Sequence, residues 1–214
     1  MSKLRVHMYS ISLDGYGAGP DQRVKEPLGR EGESLHDWVV PTRTFKGGHA
    51  KGKGTIGVDD AVGALGRDYI GAWIMGRNMF GPVRGPWPDE SWKGWWGDNP
   101  PYHGPVFVLT HHARKPVEMK GGTTFYFVTD GIHSALEQAK EAAQGKDVLL
   151  GGGASAARQY LAAGLVDQMD LALVPILLGS GERVFDGLGT DLHGLTLTRT
   201  IPAPDVTHLR FERR

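Results

Sequence analysis

Apolar positions recur along this chain with two spacings, and the change from one to the other marks its elements. Leu4 to Ile11 alternates loosely, with Val6, Met8 and Ile11 as the apolar set, and predicts a first strand ended by the turn residues of "LDGYGAGPDQ". Residues 17 to 57 form a long excursion. It holds one short helical stretch, "GESLHDWVV", in which Leu35, Trp38 and Val39 are spaced i, i+3 and i+4 before Pro41 stops it. Asp59 is placed to cap a helix carrying Ala61, Val62 and Leu65, and "GAWIMG" beyond it reads as a buried strand. "PVFVLT" at 105 to 110 and "TTFYFVTD" at 123 to 130 are further strands, separated from "GAWIMG" by a Trp- and Pro-rich loop between Gly81 and Gly104.

The second half is more regular. Ile132, Ala135, Leu136, Ala139, Ala142 and Ala143 make one helical stripe, and Gly145 suits its stop. "DVLL" is the next strand, three glycines follow, and Ala157, Tyr160, Leu161, Gly164 and Leu165 then recur with helical spacing. "MDLALVPILLG", "LTLTRTI" and "VTHLRFER" finish the chain as strands, the last two paired. Strands alternate with helices in the middle and follow one another at the end. The pattern predicts an α/β fold with a mostly parallel sheet and an antiparallel C-terminal edge.

Composition narrows the function. A chain of 214 residues can bury a sizeable core, and one domain spanning 1 to 214 is expected. Lys plus Arg at 24 equals Asp plus Glu at 24, so no overall field draws the chain to nucleic acid or to an anionic membrane, and neither is expected as a partner. With no cysteine there is no disulfide, thiolate metal site or cysteine nucleophile. The first residues lack a signal-length apolar stretch, and no run of eighteen apolar residues occurs, which makes a cytoplasmic location the expectation.

Three strand ends carry residues suited to phosphate. Gly151, Gly153 and Ala156 in "VLLGGGASAA" satisfy G-x-G-x-x-G/A between a strand and a helix, where backbone amides and the helix dipole favour an anion. A plain turn is the alternative, but three permissive residues in a row carry an entropic cost that a plain turn seldom needs. An ordinary Rossmann unit does not fit, because Asp170 sits near the start of the following strand instead of its end. "WIMGRNMFGP" gives backbone access at Gly76 and a guanidinium at Arg77, and "VLTHHARKP" offers Thr110, His111, His112, Arg114 and Lys115 just past a strand. In open α/β sheets ligands gather at such carboxyl ends. "GGHAKGKG" at 47 to 54 mimics a phosphate-binding loop, but Gly54 stands where Ser or Thr must bind magnesium, so it reads as a basic loop. The adjacent His111 and His112 lack metal-ligand spacing, and no metal is expected. Ser155 is not in a nucleophile elbow.

Taken in order, "SISLDGYGAG", "WIMGRNMFG", "VFVLTHHARKP" and "DVLLGGGASAARQYLAAGLVDQMDLALVPILLGSGERVFDG" resemble the dihydrofolate reductase-like superfamily, in its branch with the C-terminal reductase domain of bacterial riboflavin biosynthesis. The resemblance runs from Leu4 to Phe211. It implies a three-layer αβα sandwich with a mixed, mostly parallel sheet of about eight strands, NADPH as cofactor, a small-molecule substrate and a homodimer. By it Gly76, Arg77 and Asn78 would hold adenine-side phosphates, Thr110, His111 and Arg114 would flank the 2′-phosphate, and Gly151, Gly152, Gly153, Ala154 and Ser155 would contact the pyrophosphate and nicotinamide. It also implies a cis Gly-Gly bond, at Gly151-Gly152 or Gly152-Gly153, and a Cβ at Gly152 would obstruct the cofactor. Asp37 is the candidate proton source, with Leu35 and Trp38 beside it on the substrate, and Asp14 organises the loop near the nicotinamide. The sequence departs from the riboflavin-type pattern in having Gly151 where those reductases carry a Glu. The implied activity is NADPH-dependent reduction of a small, pterin- or aminopyrimidine-like heterocycle; the alternative is a non-catalytic NADPH-binding or ligand-sensing protein of the same fold. Trp87, Trp92, Trp95 and Trp96 are expected over the substrate pocket, at a subunit interface, or packed as core.

Overall fold

The computed structural model describes residues 2–47, 53–81 and 84–214. The chain opens with β1 (Leu4–Ser12) and β2 (Tyr16–Ala18), then a 3-10 turn at Gly32–His36. Short helices α1 (Arg43–Gly47) and α2 (Val58–Ala64) lead to β3 (Ile70–Gly76), α3 (Arg77–Phe80), β4 (Pro105–Leu109), β5 (Val117–Glu118) and β6 (Thr124–Val128). The second half runs α4 (Gly131–Ala142), β7 (Asp147–Gly152), α5 (Ala154–Ala162), β8 (Gln168–Val174), β9 (Glu182–Arg183), β10 (Leu195–Pro202) and β11 (Thr207–Arg213).

Among the described residues nine strands form one sheet in the order β10-β11-β8-β1-β7-β3-β4-β6-β5, and β2 pairs with β9 in a small separate ribbon. From β8 to β6 every neighbouring pair is parallel. The expected antiparallel C-terminal edge is present, since β11 runs antiparallel to both β8 and β10. The opposite edge is antiparallel as well, through the two-residue β5, which is too short to show a period in the sequence.

Both faces of the sheet are covered, as near-continuous apolar strands require. Along β3, Ile74 packs with α4 and α5 residues such as Ala139 and Leu161, whereas its neighbour Met75 packs with Phe80 and Phe125 on the other face. Along β8, Leu171 belongs to the first side and Ala172 packs with Leu35, Trp38 and Val39 on the second. The helices α4 and α5 thus cover one face, and the short helices with the aromatic loop cover the other, giving the three layers. Among the described residues, no helix is long and apolar enough to cross a membrane.

Local chemistry explains where the elements end. At the end of α5, Gly164 adopts φ 64°, its N–H donates to Leu161 and that of Leu165 donates to Tyr160, so two otherwise open carbonyls are closed by a left-handed glycine. Gly164 is therefore the stop of that helix, not part of its packed stripe. The stop of α4 is shared by Gln144 at φ 51° and Gly145 at φ 87°. The predicted cap of α2 is different: the helix begins at Val58, and Asp59 instead holds the His208 ring nitrogen at 2.7 Å.

Candidate functional site

All strands of the parallel block point their carboxyl ends toward one rim, and there the chain encloses a cleft of about 580 Å³. Gly76, Arg77 and Asn78 reach it from β3, Thr110 and His111 from β4, and Gly151 through Ser155 from β7. Because β3 lies between β7 and β4, three segments far apart in sequence become neighbours. They are tightly packed at the base: a Cβ on Gly76 would meet the Cβ of Ala156 at 3.4 Å and the carbonyl oxygen of Gly152 at 3.6 Å.

The triple-glycine corner turns β7 into α5 with an irregular register opposite β3, where Met75 pairs with Gly152. Gly152 takes φ 132° and Gly153 takes φ 46°, ψ 139°, conformations that L side chains resist. No peptide bond among the described residues is cis, so the expected cis Gly-Gly bond is corrected: two positive φ values make the turn with trans peptides. A Cβ on Gly152 would stand 3.5 Å from the Tyr9 ring and 3.6 Å from the Met79 sulfur, while one on Gly153 would meet nothing within 4 Å. Beyond them α5 begins without a side-chain cap, and the first-turn amides of Ala154, Ser155 and Ala156 have no partner within the helix.

Arg77 lies on the cleft wall with its guanidinium 3.3 Å above the centre of the Trp87 ring. Its Nε, Nη1 and Nη2 are buried with no hydrogen-bond partner among the described residues. Burial, aided by the neighbouring positive charge of Arg114, brings its pKa down to about 10, so the group remains a cation at neutral pH. Arg114 was expected beside it as a ligand. The structure corrects this: Arg114 is outside the cleft, donating to the carbonyls of Glu90 and Trp92 and packed 4.9 Å from Trp87 and 5.1 Å from Phe127. Thr110 is occupied with the backbone of His112, and Asn78 and His111 are exposed at the rim.

The residues expected at the substrate end are displaced by one position. "GESLHDWVV" forms a 3-10 turn instead of an α-helix, so the spacing that buries Leu35 and Trp38 also turns Asp37 into solvent. His36 lines the cleft in its place. Leu35 and Trp38 are core residues packed on β8, and Trp38 donates its Nε1–H to Ser10 Oγ at 2.9 Å. Asp14 is likewise not on the cleft: its carboxylate accepts from Ser12 at 2.5 Å and from the amides of Leu178 and Gly179 at 3.2 and 2.7 Å. The Ser12 hydrogen bond, with those two amides, holds it at about 2. Asp14 thus ties the end of β1 to the segment after β8.

Other cleft residues were not legible in advance. An irregularity in the β1–β8 register, with Met8 at φ 55°, lets Met8, Tyr9 and Ser10 all border the cleft although a regular strand would turn alternate residues away. Arg84 reaches Gln22 at 3.1 Å and Glu182 at 3.4 Å, joining three loops at the mouth. The Trp-rich loop divides its roles: Trp87, Trp92 and Trp96 pack around Phe80 and Phe125, while Trp95 and Trp96 also line the cleft. The basic loop at 47 to 54 falls largely on residues 48–52, outside the described residues.

Comparisons with known proteins agree with this geometry. The sequence model of the RibD C-terminal domain matches residues 5–208. A riboflavin-biosynthesis-type protein from Shewanella sp. PV-4 superposes with a TM-score of 0.59 at 20% identity, covering 100% of this chain and 99% of that one. RibD of Acinetobacter baumannii gives 0.53 at 17% identity, over 99% of this chain and 58% of its own. A dihydrofolate reductase from Enterococcus faecalis, complexed with NADP(H), gives 0.50 at 11% identity over 99% and 96% of the two chains. At these identities the likeness establishes the dihydrofolate reductase-like fold. Among curated proteins none matches the sequence.

Proposed function

We propose, from the premise that this chain belongs to the RibD C-terminal domain family, that it is an NADPH-dependent reductase acting on a small pyrimidine- or pterin-like heterocycle. The observation that carries the reading is Arg77, a cation on the cleft wall whose three nitrogens find no acceptor among the described residues. A buried donor left unsatisfied costs roughly 1 to 3 kcal/mol, so a guanidinium in this state is suited to an anion that arrives with the ligand. Two further features fit the same ligand. The first-turn amides of α5, which have no partner within the helix, favour a phosphate, and the corner at Gly153 leaves room among the described residues for one to approach the backbone. A pyridine dinucleotide with an additional phosphate would present anions to both places.

When bound, that cofactor supplies the hydride. The protein supplies position and electrostatics. Arg77 and the amides of Ala154 and Ser155 would fix the phosphates, and Gly151, Gly152 and Gly153 let main chain stand where a side chain would intrude. Gly76 and Asn78 at the end of β3, with Thr110 and His111 at the end of β4, would border the adenosine end. Tyr9, beside Gly152, would shield the reacting end from water. The wall formed by Tyr9, Ser10 and His36 would receive the substrate.

Fluorescence titration with NADPH and NADH tests the assignment. Arg77→Ala is expected to weaken NADPH about 10- to 100-fold, the loss of one or two charge-assisted hydrogen bonds, and to change NADH little. Equal losses for both nucleotides, or no NADPH binding by the unaltered protein, would overturn it.

A further inference from the structure

The indole of Trp87 lies over the cation on which the nucleotide reading rests. The guanidinium carbon of Arg77 stands 3.3 Å from the centre of that ring, in close contact with its face. Arg77 as a whole is half-buried and borders the cleft, but its three guanidinium nitrogens are shut from solvent and meet no partner among the described residues. A Cβ on Gly81 would stand 3.3 Å from Nη1, so that end of the fork lies against main chain.

Trp87 is itself held from several sides. Its Nε1–H donates to the His112 carbonyl at 2.8 Å, and its ring meets Phe80 and Phe127 edge-on at 5.9 and 5.2 Å. Arg114 flanks the same indole at 4.9 Å, anchored on the carbonyls of Glu90 and Trp92, and its charge works with burial against that of Arg77. No carboxylate pairs with Arg77 among the described residues. The indole face attracts a cation but accepts none of its in-plane N–H bonds, whereas a phosphate oxygen does both. Indole and phosphate therefore compete for one guanidinium, and its nitrogens reach an anion in the cleft only by leaving the ring.

We propose that Trp87 is a specificity-determining residue, which sets the strength of the nucleotide preference by holding Arg77 against its face until a phosphate draws the guanidinium away. It lowers the affinity of any ligand that uses Arg77 and leaves other ligands untouched. This deepens the reductase reading and rests on it for the identity of the anion.

Two measurements test the exchange. In the first, NMR follows the arginine Nε–H resonance that is lost in Arg77→Ala. A proton held over an indole face resonates upfield, and saturating NADP⁺ is expected to move this one downfield. This arm needs no substitution at Trp87, so it decides even where such a variant fails to fold. In the second, fluorescence titration compares NADPH with NADH. Trp87→Leu should bind NADPH about 3- to 30-fold more tightly, the worth of one cation–π contact, with NADH affinity unchanged, which certifies the fold. Trp87→Phe keeps an aromatic face and loses the hydrogen bond to His112, and should stay near the unaltered protein. A resonance at the ordinary arginine position without ligand, or one that stays upfield at saturating NADP⁺, would overturn the proposal. So would weaker or unchanged NADPH binding in Trp87→Leu, or an equal gain in Trp87→Phe. Failure of both NADPH and NADP⁺ to bind the unaltered protein would remove the reductase reading instead. Inorganic pyrophosphate, titrated against the same resonance, then decides alone: a downfield shift supports the exchange, and an unmoved signal overturns it.

Discussion

Gly153 combines φ 46° with ψ 139°, a backbone state open to glycine and costly for any residue with a Cβ. Because a Cβ there would touch nothing within 4 Å, Gly153→Ala tests the backbone and the cleft without a clash inside the protein. It is expected to lower stability by about 1 to 3 kcal/mol in urea unfolding, and to weaken NADPH beyond that by intruding on the open corner. Stability and affinity both unchanged would show that neither conformation nor access at this position matters. Single residues were legible in their placement where a distinctive type falls at a strand end, as with Arg77 and the glycines, which the fold brings to one cleft. They were not legible where a register decides the facing. Asp37 and His36 are adjacent letters, and only the 3-10 geometry, tighter than the α-helical spacing assumed from Leu35, Trp38 and Val39, determines which one meets the cleft.

At the scale of elements, Asp170 of β8 shows how the sheet is held beneath the cleft. It accepts two hydrogen bonds from Arg210 of β11, at 2.6 and 3.1 Å, one from Gln168 at 2.9 Å, and lies 3.0 Å from His7 Nδ1 of β1. Burial alone would raise its pKa, but the hydrogen bonds from His7 and Arg210 outweigh it and hold the carboxyl at about 2, below its ordinary 3.8. The ionised form is thus favoured by folding. Its contribution, about 2 kcal/mol, is complete above the ordinary pKa and is lost as pH falls from roughly 4 toward 2. Urea unfolding across that range should show the loss. Asp170→Asn should flatten this part of the profile and cost about 3 kcal/mol at neutral pH, because Arg210 keeps a half-buried charge without its partner. A profile as steep as that of the unaltered protein would exclude Asp170 as its source. The sequence placed Asp170 correctly near the start of a strand, which spoke against an ordinary Rossmann unit. It could not reveal the three-strand clamp, because His7 and Arg210 are joined to it only by sheet order. The short β2, β5 and β9 were equally hidden, being stretches of two or three residues whose partners are distant in sequence.

For the molecule as a whole, the parallel order was readable because alternating strands and helices force crossovers that leave all carboxyl ends on one rim. The cleft itself follows from that order, with β7 placed between β1 and β3 so that the glycine corner, Tyr9 and Arg77 face a common space. Its walls come from the excursion after β2, the aromatic loop after α3, and the turn into β9, which Arg84 joins at the mouth. A ligand spanning these parts would bind the folded chain alone and stabilise it by mass action, by about 2.7 kcal/mol at a hundredfold excess over its dissociation constant. For a chain of this size that corresponds to a rise in melting temperature of about 5 to 10 °C with NADPH. Arg77→Ala should reduce the rise at the same NADPH concentration, since the cation would be gone while the fold that assembles the rim remains. A melting temperature indifferent to NADPH would mean that the strand ends meet without forming a nucleotide site, and Arg77 would then be a guanidinium stacked on Trp87 with no acceptor among the described residues.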